Sequence, residues 1–437
     1  MPTFDLIVKN GTLTTSTSKR IADIGIKDGK ITEVGEINAE ADRVIDATGL
    51  HVLPGLIDTQ VHFREPGLVH KEDLESGSRA AALGGICTFL EMPNTKPATT
   101  SVERVQEKID LAKEKSHTNF GFFIGGSEKN LEEILKAEDL EGCCGLKIFL
   151  GSSTGDLLLY KRDILLDIFR KVKMPIAVHS ESEPRLLERI ALRDNATSVH
   201  AHYDWRDAES ALESTKMIID VAKEAGRKVH ILHLTTREEM EFLSQNKEHC
   251  TIEVTPQHLS LCAPDIYDKI GTFAQMNPPI RTEEHRTGLW EGLEAGLVDV
   301  LGSDHAPHSI EEKEKGYPHS PSGMPGVQTI FPVMLHHMNE GRISLEKIIE
   351  LLSETPAKLY SLNKGNLDIG TDGDLTLVDL KESWTIQNED QASKCGWTPF
   401  AGLEIKGRPV GTIVMGQVSM LKGEVFDIDG APIKRGS

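Results

Sequence analysis

The feature that most constrains the fold is a regular alternation of short apolar runs with longer amphipathic runs through the middle of the chain. Eight strand-like runs can be counted, at residues 55–63, 86–92, 119–124, 145–150, 175–179, 228–234, 251–255 and 298–303. Predicted helices separate them, for example at residues 73–82, 102–115, 131–137, 207–224 and 285–295. Eight strand-helix units in about 250 to 300 residues predict an α/β fold with a TIM (β/α)8 barrel. An open doubly wound sheet is the alternative, but no GxGxxG motif follows the first strand to favour it.

The two ends of the chain have a different sequence pattern, in which short runs of strand-forming residues are separated by turn-forming residues. Near the start, apolar runs precede Asn10-Gly11 and Asp28-Gly29, and similar runs return after residue 367. The two ends of one domain often lie close together. We therefore predict one small discontinuous β-sandwich domain from residues 1–53 and 364–437, beside a barrel formed by residues 54–363.

Composition limits the classes of partner and the compartment. The 437 residues include 68 acidic and 48 basic side chains, a net charge of −20, which disfavours nucleic acid and anionic membranes as partners. No apolar run reaches the roughly 18 residues that a membrane helix requires, and the first residues do not resemble a signal peptide. The six cysteines are dispersed without a CxxC pair, as expected for reduced thiols. We expect a cytoplasmic protein.

Polar side chains cluster where the predicted barrel strands end, which is where barrel enzymes build their active sites. Those with metal-ligand chemistry are His62, Lys147, His179, His233 and Asp304. Imidazole and carboxylate together suit zinc, with manganese, cobalt or iron as alternatives. A lone histidine at a strand end is usually a hydrogen-bonded structural residue, but several at one rim with an aspartate favour a metal site that activates water.

Lys147 is the most informative of these residues. A lysine inside a strand between Leu146 and Ile148 is costly to bury unless its charge is removed or paired. As a neutral amine it could react with CO2 to form a carbamate, which is a bidentate anionic ligand. The alternative is a structural ion pair with a carboxylate of the barrel.

Several motifs resemble those of the amidohydrolase superfamily, and within its cyclic amidohydrolase branch those of the dihydroorotase family. The resemblance covers essentially the whole chain. The matching segments are HFREPG at 62–67, KEDLESG at 71–77, EMPNTKP at 91–97, GLKIFLG at 145–151, NPPIR at 277–281, SDHAPH at 303–308 and GMPGVQT at 323–329. REPG together with MPNT is the most discriminating pair, because allantoinases and dihydropyrimidinases usually differ there.

The resemblance implies an enzyme that interconverts N-carbamoyl-L-aspartate and L-dihydroorotate in pyrimidine biosynthesis. It implies one or two zinc ions held by His62, carbamylated Lys147, His179, His233 and Asp304. In that family a metal-bound hydroxide attacks the ring amide, so Asp304 would shuttle the proton. Arg64, Asn94 and His308 match residues that hold the ring carboxylate, and Asn277 matches a position beside the ring. The family also implies a homodimer.

Gln60 departs from the resemblance, because the family has His-x-His at this strand end and this chain has Gln60-Val61-His62. A neutral amide is a poor zinc ligand compared with imidazole. Three outcomes stay open: a binuclear enzyme with a substitute ligand, a mononuclear enzyme, or a non-catalytic homologue that supports a partner such as aspartate transcarbamoylase.

The alternative activity is that of another cyclic amidohydrolase (dihydropyrimidinase, hydantoinase or allantoinase). The polar segment 309–322 is interpreted either as a mobile lid or as a passive surface loop, and no role is assigned to Gln257.

Overall fold

The computed structural model describes residues 3–153 and 157–436. The strands are β1 (Phe4–Thr14), β2 (Lys19–Lys27), β3 (Lys30–Gly35), β4 (Ala41–Asp46), β5 (His51–Pro54), β6 (Leu56–Val61), β7 (Ile86–Glu91), β8 (Asn119–Gly125), β9 (Cys143–Phe149), β10 (Ile176–His179), β11 (Val229–Ile231), β12 (Cys250–Val254), β13 (Val300–Leu301), β14 (Leu375–Thr385), β15 (Glu404–Val414), β16 (Gln417–Leu421) and β17 (Glu424–Val425).

The α-helices are α1 (Leu74–Leu83), α2 (Val102–Lys115), α3 (Leu131–Ala137), α4 (Arg162–Lys171), α5 (Glu183–Glu188), α6 (Ile190–Asp194), α7 (Ala201–Trp205), α8 (Ala208–Ala225), α9 (Arg237–Ser244), α10 (Pro256–Ser260), α11 (Asp265–Ile270), α12 (Glu283–Glu294), α13 (Ile310–Lys313), α14 (Ile330–Asn339), α15 (Leu345–Ile349) and α16 (Thr355–Leu359). Short 3-10 helices lie at Lys247–His249 and Gly271–Ala274, and a π-helical turn lies at Glu350–Glu354. Within the described ranges, no helix is both long and apolar enough to cross a membrane.

The eight predicted strands form one parallel sheet, β6 to β13 in sequence order. The first and last strands meet where the backbone N–H of His62 donates to the carbonyl of His305 at 2.7 Å. This contact nearly closes the sheet into a barrel. The TIM-barrel prediction is confirmed, and the doubly wound alternative is excluded.

Among the barrel strands that end earlier than the sequence predicts, β11 and β13 have ends that shape the candidate site. Strand β11 stops at Ile231 and β13 at Leu301. Just beyond them, His233 and Asp304 have φ of 38° and 43°, a left-handed backbone that cannot continue a strand. The turn therefore begins at the residues that carry the polar side chains.

The two ends of the chain form a separate nine-stranded sheet with the order β17-β16-β15-β14-β5-β1-β2-β3, and β4 pairs with β1. Most pairings are antiparallel, and β14 joins the C-terminal strands to β5, with Leu377 opposite Val52. A buried apolar cluster fills this unit, including Leu6, Ile24 and Ile413. The prediction of one β unit from both ends is confirmed, whereas its limits at residues 53 and 364 stay a prediction.

The segment 309–322 is fastened to the barrel rim through Lys313, at the end of α13. Lys313 is buried, and its ammonium donates to the backbone carbonyls of Gln275, Pro321 and Gly323 at 2.9 to 3.1 Å. These contacts make the segment a packed cover of the rim. Whether it opens stays a prediction.

Candidate active site at the carboxyl end of the barrel

A narrow cavity at the carboxyl end of the barrel brings together most of the residues that the sequence singles out. Its wall includes Gln60, His62, Arg64, Asn94, Lys147, His179, His233, Asn277 and Asp304. His308 is not in the wall, but it contacts Arg64 from behind. A larger groove of about 650 Å³ lies at the opposite end of the barrel and contains none of these residues.

One side of the cavity is formed by Lys147, His179 and His233, from β9, the end of β10 and the turn after β11. His179 Nδ1 lies 3.1 Å from His233 Nε2. The Lys147 ammonium is buried, and it has no hydrogen-bond partner within the described residues. Burial lowers the pKa of Lys147 to about 7, against the attraction of Asp304 and Glu253. In this part of the chain Lys147 therefore lacks the structural ion pair that was the alternative from the sequence.

The opposite side of the cavity is formed by Gln60, His62 and Asp304. Gln60 Nε2 donates to Asp304 Oδ1 at 3.0 Å, and His62 Nε2 lies 3.1 Å from the same oxygen. Burial raises the pKa of Asp304 to about 7, while Lys147 and His179 act in the opposite direction. Burial also lowers the pKa of His62 well below its ordinary value. This side therefore holds a desolvated carboxylate between an amide and an imidazole.

Sequence reasoning missed Glu181 and Arg206, which lie directly behind His179. Glu181 Oε2 is 2.8 Å from His179 Nε2, and Arg206 Nε donates to Glu181 Oε1 at 3.0 Å. Burial alone would raise the pKa of Glu181, but the charge of Arg206 outweighs it and lowers that pKa. The ionised carboxylate accepts the Nε2 proton, so Nδ1 of His179 presents its lone pair to the cavity. Glu181 could have been found, because it follows His179 by two residues.

Arg64 is a buried cation that forms no ion pair with a carboxylate in the part of the chain that the structure describes. Its side chain is 1% exposed, and its contacts are the Pro307 carbonyl at 3.2 Å and His308 Nε2 at 3.3 Å. Burial lowers the pKa of Arg64 to about 10, so the guanidinium stays charged at neutral pH. The carboxylates of Glu312 and Glu65 pair with Lys71 and Lys115 instead. A buried charge of this kind calls for an anionic ligand in the cavity.

The two predicted asparagines are each fixed by a histidine. Asn94 Oδ1 lies 2.7 Å from His62 Nδ1. Asn277 Oδ1 lies 3.0 Å from Nε2 of His202, a residue of helix α7 that the sequence did not single out. Burial lowers the pKa of His202 to about 3, so the ring is neutral and its single N–H orients the amide of Asn277.

Gln257, to which the sequence assigned no role, is buried beside the last strand. Its Nε2 donates to the Ser303 carbonyl at 2.7 Å. Gln257 therefore holds the backbone immediately before Asp304, and its contribution to the site is through the position of that turn.

The donor set fits a divalent metal, although its members lie in two groups. Within the described residues, no group of three or more His, Cys, Asp or Glu side chains is arranged as a metal site. The histidines and Asp304 form separate pairs, His62 with Asp304 and His179 with His233, and the fifth member is a lysine. The buried Lys147 nitrogen and His233 Nδ1 have no partner within the described ranges. Three imidazoles and a carboxylate in one cavity wall fit the chemistry of a divalent metal.

Comparisons with known proteins agree with this geometry. The model of the amidohydrolase family matches residues 51–419. A dihydroorotase of Methanothermobacter thermautotrophicus is 35% identical over 418 residues, 93% of each chain. An L-hydantoinase of Paenarthrobacter aurescens is also 35% identical, over 97% of this chain and 96% of its own. The solved L-hydantoinase (dihydropyrimidinase) from Arthrobacter aurescens has a TM-score of 0.94 at 33% identity, covering 99% of this chain and 100% of that one.

Proposed function

The chain belongs to the amidohydrolase family, and on that premise we propose that it is a dihydroorotase, a hydrolase that opens and closes a cyclic amide. The observation that carries the substrate assignment is Arg64, a buried guanidinium in the cavity wall without a carboxylate partner in the described part of the chain. Dihydroorotate has a carboxylate on its ring, whereas unsubstituted hydantoin and dihydrouracil do not. A planar guanidinium binds a carboxylate through two parallel hydrogen bonds, which supports this substrate.

We propose that Lys147, as a carbamate, together with His179 and His233 would hold a zinc ion. His62 and Asp304 lie on the opposite wall, within reach of a ligand bound between the two groups. Zinc supplies a Lewis acid and lowers the pKa of a water molecule. The lowered pKa of Lys147 supports carbamylation, because only the neutral amine reacts with CO2.

Asp304 is the group placed to accept and return a proton. Its Oδ1 is held by Gln60 at 3.0 Å, so the carboxylate has one fixed orientation toward the cavity. Asn277 is oriented by His202 on the facing wall and can bind the edge of the ring. These residues orient the substrate amide toward Asp304, which supports both ring opening and ring closure in one site.

The substrate preference is tested by comparing kcat/KM for L-dihydroorotate, hydantoin and dihydrouracil with the same metal-loaded preparation. We expect L-dihydroorotate to be preferred by at least about 10²-fold, because only its carboxylate pairs with Arg64. A preference for hydantoin would contradict the proposal. That result would favour the second candidate, an L-hydantoinase, which the TM-score of 0.94 supports.

The contact behind His179 predicts an effect on metal affinity. Replacing Glu181→Gln removes the negative charge that accepts the His179 proton, and we expect metal binding about 10- to 100-fold weaker in competition with a chelator. Glu183→Gln is the matched control, because Glu183 binds Ser152 and does not contact the ring. Equal losses in both variants would show that Glu181 acts only through local folding.

Three wider expectations accompany the assignment. A dihydroorotase would act in pyrimidine biosynthesis, so we propose this pathway for the chain. The acidic composition and the dispersed cysteines support a cytoplasmic location. A homodimer stays a prediction from the family, and size-exclusion chromatography with light scattering tests it.

A further inference from the structure

We propose that the centre of this chain holds a single divalent ion at Lys147, His179 and His233, and that Gln60 is a positioning residue for Asp304. On the side where a second ion would lie, a hydrogen bond from Gln60 would fix the carboxylate instead. The inference rests on the proposed metal-dependent function. It selects one of the outcomes that the replacement of histidine by glutamine leaves open.

The first observation is the direction of the Gln60 amide. The side chain is 1% exposed, and its Nε2 lies 3.0 Å from Asp304 Oδ1. A carboxylate only accepts hydrogen bonds, so the NH2 group of Gln60 must face it. An amide nitrogen is not a metal ligand, and the oxygen of this amide, Oε1, takes no part in the contact and has no hydrogen-bond partner in the described residues. Gln60 therefore meets Asp304 as a donor.

The second observation is that the backbone holds the two residues in this register. Asp58 Oδ1 accepts the N–H of Gln60 at 3.2 Å and the N–H of Ser303 at 3.0 Å. Asp58 is fully buried, so both contacts are shielded from water. One carboxylate thus ties the end of the first barrel strand to the residue before Asp304, and the contact between the Gln60 and Asp304 side chains is built into the closure of the barrel.

The third observation is that the Gln60 hydrogen bond lies on the side where a second ion would be held. Asp304 Oδ1 accepts the Gln60 amide at 3.0 Å and lies 3.1 Å from His62 Nε2. His62 Nδ1 is held at 2.7 Å by Asn94. This side of the cavity therefore offers one imidazole, where the His-x-His pattern of the family would offer two.

The Lys147 side offers two imidazoles and a buried amine. The Lys147 nitrogen has no hydrogen-bond partner in the described residues, and Glu181 accepts the Nε2 proton of His179, which leaves the lone pair on Nδ1. His233 Nε2 lies 3.1 Å from that atom. Three protein ligands with a fourth position open are the usual set of a catalytic zinc ion. Within the described wall of the cavity only this side supplies two imidazoles, which favours one ion, held here.

The experiment measures metal per chain in the full-length protein expressed with added zinc and bicarbonate, for the wild type and Gln60→His. We expect about one ion per chain in the wild type. We expect about two in Gln60→His, because the new imidazole would share a strand face with His62 two residues away. Two ions in the wild type, none in the wild type, or one in Gln60→His would each overturn the inference.

A spectroscopic readout and a second variant cover the case in which Gln60→His does not fold. Two manganese ions about 3.5 to 4 Å apart give a coupled electron paramagnetic resonance signal, whereas one ion gives an isolated signal. We expect the isolated signal in the manganese-loaded wild type and in Gln60→Asn, whose shorter amide cannot reach Asp304. Gln60→Asn should also lower kcat about 10-fold with little change in KM. A coupled signal in the wild type, or an unchanged kcat in Gln60→Asn, would contradict the proposal.

The inference and the proposed function fail separately. A wild type with two ions that turns over dihydroorotate overturns only the inference. A wild type with one ion that does not turn over dihydroorotate contradicts the proposed function and leaves the single-ion centre in place.

Discussion

Replacing Asp304→Asn is expected to lower kcat for ring hydrolysis by about 10³-fold, because the amide cannot accept and return a proton. The variant keeps the size of the side chain and its contact with Gln60, since Oδ1 can still accept from Nε2. Metal content should stay near the wild-type value, because Lys147, His179 and His233 are unchanged. Steady-state kinetics and elemental analysis of the same preparation measure both effects.

Asp58→Asn is the matched control for Asp304→Asn. Asp58 is also fully buried beside the barrel closure, and burial raises its pKa to about 7, as it does for Asp304. Its carboxylate binds backbone N–H groups and is not in the cavity wall. We expect Asp58→Asn to lower kcat less than about 10-fold. A similar loss in both variants would show that Asp304 acts through folding, and Asp304→Asn activity within 10-fold of wild type would exclude it as the proton carrier.

The barrel, and which residues lie at its carboxyl rim, could be predicted from the sequence. All strands of this fold end at the same face of the barrel. In a parallel barrel every strand ends at the same rim, so His62, Lys147 and His179 must lie near one another whatever the loops do. Counting eight apolar runs was therefore enough to place them. The strand ends at Ile231 and Leu301 were predicted less well. The left-handed backbone at His233 and Asp304 ends the strands early, and an apolar run in the sequence does not indicate where such a residue lies.

The side chains that orient the rim could not be predicted in the same way. His202 and Arg206 come from helix α7 and the residue after it, where nothing in the local sequence indicates that they face the site. The direction of the Gln60 amide depends on Asp304, which is 244 residues away. Such contacts depend on where each loop packs against the rim, and the local sequence pattern does not specify the packing of a loop.

The charge of Arg64 predicts that its removal lowers kcat/KM for a substrate with a carboxylate far more than for an uncharged ring. Arg64→Met removes the only guanidinium in the described wall of the cavity, and kcat/KM for L-dihydroorotate should fall by about 10³-fold. The same variant should hydrolyse dihydrouracil, an uncharged ring, within a few-fold of the wild-type rate. Kinetics with both substrates on one preparation separate a lost charge pair from a damaged site.

Lys71→Met is the matched control for Arg64→Met, because it removes a neighbouring positive charge that lies outside the cavity wall. The Lys71 ammonium lies 3.0 Å from both His308 Nδ1 and Glu312 Oε1, outside the cavity wall. Since Glu312 already pairs with this ammonium, its removal should change kcat/KM for L-dihydroorotate less than about 10-fold. Equal losses of kcat/KM in Lys71→Met and Arg64→Met would mean that the total positive charge near the rim, and not Arg64 in particular, attracts the substrate. A loss confined to Arg64→Met and to the carboxylated ring would establish that one buried guanidinium selects the substrate.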